Sequence, residues 1–202
     1  MVRAVVSLIV AVILGIFGLP WCAWVLHHTW SEHILHARQP LPQDPLWVLC
    51  GALVGVALIC WKRPNWFLHT IIHESCHALT CMALFVPVHS FRASRGQGGE
   101  VTHDRPDALR ETLIAIAPYT APLMLMPALL VVRLLDPGPW HGLASGVAAF
   151  AYVHHLQGLW HNVRLNFFGK DSDLVKVGRP LSLVLIAGIL LLVTAWTIDL
   201  LW

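Results

Sequence analysis

Two histidines four residues apart, His73 and His77, with Glu74 next to the first, lie inside an apolar run from Trp66 to Val86. A helix needs about twenty residues to cross the hydrocarbon of a bilayer, and this run has that length. On a helix, positions four apart share a face, so the two imidazoles point at one spot. The H-E-x-x-H spacing suits two ligands of a tetrahedral zinc ion, with Glu74 beside them as general base for a metal-bound water. Two imidazoles and a carboxylate are expensive in hydrocarbon, and such residues within a span mark a functional site. The chain must therefore fold into a membrane bundle with a polar centre.

Composition agrees. Of the 202 residues, 57% are hydrophobic and 12% charged, about half the charge of a soluble domain, and the mean hydropathy is +0.67. The chain reads as an integral membrane protein with the lipid bilayer as its first partner. A net charge of +2 is too slight a bias to suggest nucleic acid. Cys22, Cys50, Cys60, Cys76 and Cys81 all fall in or beside apolar runs without a C-x-x-C pair, and read as small buried hydrophobes. The first apolar run continues to about Leu26 without a small-residue cleavage site, so it reads as a retained span and not a signal peptide.

Six apolar segments can be drawn, near 4–26, 46–61, 66–86, 109–135, 142–168 and 181–201, the second of them short for a span. The expected fold is all-α: a polytopic transmembrane bundle of about six spans, one domain over residues 1–202. Trp47, Trp61, Trp66, Trp140 and Trp202 mark segment ends, as in an interfacial aromatic belt. The stretch from His27 to Pro45, with His33 and His36, reads as a surface loop that could carry a second metal site. The core Gly96 to Thr102 of the longest polar loop reads as a turn flanked by short extended pieces. Pro118, Pro122 and Pro127 kink the fourth span and free backbone groups that protein or a cavity must satisfy. The fifth carries His154, His155, Gln157, His161 and Asn162 as one stripe, which faces the interior either as a site or as interhelical glue. If all six spans form, most basic residues fall on the side of the glycine-rich loop, which places that loop in the cytoplasm and the N-terminus outside.

A catalytic zinc takes three protein ligands and an open water position. Asp171 and Asp173 follow the polar fifth span, on the side where the H-E-x-x-H helix ends, and either can supply the third. Their alternative is a solvated loop or a helix N-cap, supplied by Ser172 or Asp173 before Leu174.

In the order of its motifs the chain resembles the site-2 protease group of membrane-embedded zinc metallopeptidases, the M50 family, in its small, domain-poor branch. His73-Glu-Ser-Cys-His77-Ala is similar to that family's zinc helix, and Gly98-Gly99-Glu100-Val101-Thr102 to the glycine-containing strand after it. Ile116-Ala117-Pro118-Tyr119 is similar to the small-residue turn of the next helix, and Ser172-Asp173-Leu174, with Gly178 downstream, to the aspartate segment. The N-x-x-P…L-D-G signature of better-known members is absent. The resemblance covers about residues 66–178, the zinc-site core. It implies Zn2+ held by His73, His77 and Asp173, Glu74 as catalytic base, and cleavage of a membrane-associated or transmembrane protein substrate that pairs with an edge strand. His154, His161 and Asn162 are candidates to stabilise the oxyanion. The rival expectations are a non-catalytic relative of the same family and a histidine-liganded metal or haem binder. The small size and the lack of a cleavable transit signal fit a bacterial inner membrane; oligomeric state is left open.

Overall fold

The computed structural model describes residues 2–35, 44–61, 65–94, 98–169 and 172–201. Helices α1 (Val2–Ile13) and α2 (Leu19–Trp30) run together through a π-helical turn at Leu14–Gly18, and a second such turn follows at Ser31–Leu35. Then come α3 (Asp44–Trp61) and α4 (Trp66–Ala83), a hairpin of β1 (Val88–Ser94) and β2 (Gly98–His103), and α5 (Ala108–Thr120). Helices α6 (Leu125–Leu134), α7 (Pro139–Asn166), the short α8 (Asp173–Val177) and α9 (Arg179–Leu201) complete the chain.

The fold is all-α apart from the hairpin, but six spans are not what the helices display. Among the described residues two are long and apolar enough to cross a membrane, Ala4–His33 and Arg179–Leu201, or three if the bent pair α5 and α6 counts as one. The apolar part of α3, Pro45–Trp61, is shorter. Helices α4 and α7 carry the polar residues of the interior and are less apolar than α1 or α9. Helix also persists to Leu35, beyond the loop expected from His27, and His33 there pairs with Asp199 of α9 at 3.1 Å. His36, the other half of the possible second metal site, lies outside the described residues, as do the turn at 95–97 and Trp202.

Close packing of α3 on α7 sets the frame. A Cβ on Gly51 would overlap the Gly146 carbonyl oxygen, and one on Gly146 would lie 2.8 Å from the Trp47 carbonyl oxygen. A core of Leu125, Leu129, Val132, Ala148 and Leu201 joins α6, α7 and α9. Another, of Ile116, Tyr119, Leu159, Leu174 and Ile186, joins α5, α7, α8 and α9.

Local chemistry fixes the ends of the elements around the centre. Asn65 caps α4, its side chain accepting from the Leu68 amide at 3.2 Å. At the other end Phe85 takes a positive φ of 56°, and the Val86 amide bonds the Cys81 carbonyl at 2.8 Å. Val86 also packs on Cys81, as in a Schellman turn. This reversal sends the chain back along α4 as an antiparallel hairpin, in which Ala93 faces Gly99 and Arg92 faces Glu100. Of the three prolines expected to bend the fourth span, Pro122 sits at the break between α5 and α6, which are bent by 74°. Pro127 falls in the first turn of α6, where an amide has no helical partner anyway. Pro118 stays within α5.

Candidate metal centre

The face that α4 turns inward carries His69, His73 and His77, one turn apart. Glu74 and His77 are buried, at 7% and 9% exposure. Asp173 arrives from the far end of the chain on α8, and its Oδ2 lies 3.6 Å from His73 Nε2 and 3.3 Å from His77 Nε2. One ligand atom from each of the three residues falls within 4.8 Å of the others. Asp171 lies outside the described residues.

Two atoms each about 2.0–2.1 Å from a tetrahedral zinc are roughly 3.3 Å apart, so this spacing fits the ion with little movement. The donor set is right as well: two imidazoles and a carboxylate are a common catalytic zinc set, leaving one position for water. His77 is oriented from behind, because its Nδ1 donates to the Ile114 carbonyl at 2.8 Å and leaves Nε2 toward Asp173. With acceptors at both nitrogens, the metal-free ring satisfies both only as an imidazolium, and a metal would take the place of the Nε2 proton. Tyr119, 1% exposed with its ring edge-on to His73 at 5.8 Å, has a buried hydroxyl without a partner among the described residues. Buried polar groups are ordinarily satisfied, and a ligand held beside His73 would give it a partner.

Short as it is, α8 is anchored. Leu174 is fully buried, and its carbonyl accepts from Ser182 Oγ at 3.1 Å. Gly178, at a φ of 99° that favours glycine, turns the chain into α9. Ser172 stands at the N-cap without capping; its hydroxyl donates to the Gly169 carbonyl at 3.4 Å. Lys176 donates to Asp173 Oδ1 at 3.0 Å. Burial alone would push the Asp173 carboxyl up, but the imidazoles of His73 and His77 beside it, with the charge of Lys176, hold it well below the usual carboxylate range.

The three residues line an open cavity of about 740 Å³, walled on one side by β2. Strand β2 pairs only with β1 among the described strands, so its other edge has no strand partner there. Its backbone lies directly on Glu74: a Cβ at Gly99 would collide with Cγ and come within 2.8 Å of Oε1. Asn162 and His161 also line the cavity, whereas His154 lies in a smaller recess behind α4. Asn162 Oδ1 accepts from His69 Nε2 at 2.8 Å, and His161 stacks on Trp66 with centroids 3.9 Å apart.

A family profile described as Peptidase M50B-like matches residues 46–166, well over half of the chain and all of the H-E-x-x-H helix. The chain belongs to the M50B-like peptidases. M50 peptidases are membrane metallopeptidases that generally depend on zinc, and the site-2 protease resemblance read from the motif order falls within this family. No curated protein and no solved structure matches the chain. The M50B-like match ends before Asp173, so the geometry on α8, and not the profile, brings that residue to the centre.

His69 was not singled out in the sequence, Tyr119 figured there only within the small-residue turn, and the contact of Gly99 with Glu74 was not foreseen. His69 was there to be found, since it stands four residues before His73 on the same face. The other two depend on how close separate elements come, which periodicity does not encode.

Proposed function

We propose that this M50B-like protein is a membrane-embedded zinc endopeptidase that cleaves a membrane-associated or transmembrane protein. The observation that carries the reading is the gathering of His73, His77 and Asp173 ligand atoms within 4.8 Å, at the wall of a cavity that also holds Glu74. When bound there, zinc supplies Lewis acidity, lowering the pKa of a water toward neutrality and polarising the peptide carbonyl.

The remaining work falls to the chain's own side chains. Glu74 accepts the proton of the attacking water and later delivers it to the leaving amine. Glu74 is buried against the β2 backbone, so its carboxylate is held in place before substrate arrives. With the Asn162 carbonyl oxygen taken by His69, the amide NH2 of Asn162 is the group that donates to the developing oxyanion. The substrate enters as an extended segment along the open edge of β2, because a helix has no spare backbone donors for the enzyme to read and must unwind first. A haem reading is not favoured: the gathered set includes a carboxylate and has the spacing of a site for a single small ion.

The test is Glu74→Gln in purified protein. It is expected to keep its zinc and to lose roughly 10²–10⁴-fold in cleavage rate, the usual worth of a positioned general base. Proteolysis at the wild-type rate in that variant would sink the mechanism.

A further inference from the structure

A proline inside a helix has no N–H to give the carbonyl four residues back, and its ring pushes that carbonyl away from the helical ladder. In α5 the proline is Pro118, and the carbonyl four residues back belongs to Ile114. That carbonyl accepts the Nδ1 hydrogen of His77, at 2.8 Å and in a buried environment. A carbonyl can only accept, so the contact fixes the hydrogen on Nδ1 and leaves Nε2, 3.3 Å from Asp173 Oδ2, as the atom that faces the centre.

We propose that Pro118 is a positioning residue of the metal centre, reserving the Ile114 carbonyl as the outer partner that holds His77 in its ligating tautomer and orientation. The proposal rests on His77 being a metal ligand. It explains why a helix-weakening residue stands within α5, at a point where the helix does not break: the bond lost to α5 is replaced by one to α4. Restoring an N–H at position 118 gives the Ile114 carbonyl its helical donor again, in competition with His77. Outer partners of metal-bound histidines commonly matter this much, their loss weakening metal binding by about 10–100-fold.

The experiment compares full-length wild type, Pro118→Ala, Pro118→Gly and Pro127→Ala in detergent. Zinc affinity is read by competition with a chromogenic chelator, and the coordination geometry by the absorption spectrum after loading with Co2+. Both Pro118 variants are expected to bind zinc about 10–100-fold more weakly and to shift the Co2+ bands. The metal-free Pro118→Ala protein should meanwhile melt no earlier than wild type, since alanine suits a helix interior better than proline. Pro127→Ala, which changes a first-turn amide of α6, is expected to match wild type in both readings. A Pro118→Ala protein that binds zinc within about threefold of wild type and gives the same Co2+ spectrum would overturn the proposal while leaving the metal centre standing. A wild type that binds no zinc would overturn the centre itself, and this inference with it.

Discussion

Gly99 is the residue whose replacement most cleanly separates the base from the metal. A methyl there would press on Glu74 Cγ and Cδ, while His73, His77 and Asp173 are not among the atoms it would meet. Gly99→Ala is therefore expected to lose about a hundredfold in turnover, the cost of displacing a reacting group by roughly 1 Å, and to keep its zinc. Metal analysis beside a cleavage assay checks this; loss of both together would show that the hairpin shapes the whole centre. Asp173 and the histidines answer acid differently. A carboxyl depressed on folding contributes stability that is present above its unfolded pKa of about 3.9 and lost only as pH falls through the lower folded value. Asp173 thus stays ionised through the neutral range, and proton competition for zinc comes from the imidazoles. Zinc affinity is expected to fall as pH drops from 8 to 6 in a chelator titration. An affinity that stays flat over that window would contradict imidazole ligation. The histidines and Glu74 were legible from spacing alone, since an α-helix converts a four-residue interval into a shared face. Asp173 was not: sequence left it level with Asp171, and only motif order favoured it. The structure brings Asp173 to the histidines through the burial of Leu174 and the turn at Gly178.

Apolar runs locate helices in the sequence without saying how they meet. The contact of α3 with α7 depends on glycines that read as unremarkable members of hydrophobic segments. Because a Cβ on Gly51 would overlap the Gly146 carbonyl, Gly51→Val should force the helices apart. Overpacking of this kind costs about 1–3 kcal/mol or more. The thermal midpoint in detergent should fall clearly, and a midpoint equal to wild type would show that the helices do not pack this closely. Three prolines foretold irregularity between 109 and 135, and α5 and α6 are indeed bent by 74°. Their separate roles were hidden, because the effect of a proline depends on what receives the carbonyl it frees. A turn with short extended pieces was readable around the glycine-rich core, although Gly98 to Thr102 of that core belong to strand β2 itself. That β2 would rest on Glu74 was not, since glycine in a sequence records permission for close approach without naming the neighbour.

For the molecule as a whole, hydropathy indicated a membrane protein, and the long apolar helices and the family agree. Hydropathy overstated the number of clear spans, because helices that line a polar interior carry fewer apolar residues than helices that face lipid. With the six segments read from the sequence, three crossings (109–135, 142–168 and 181–201) separate the glycine-rich loop from Leu201, so the basic-residue bias predicts a reporter inserted in that loop on the cytoplasmic side and one fused after Leu201 on the other. A shared side would require the crossings to be recounted. The expectations for the centre depend on one ion. The most direct measurement is zinc per chain in purified full-length protein, for wild type and for His73→Ala, Asp173→Ala and Asp171→Ala. One zinc in wild type and in Asp171→Ala, with loss in the other two, is the predicted result. A wild type without zinc after reconstitution, or an Asp173→Ala protein that keeps it in full, would contradict the account.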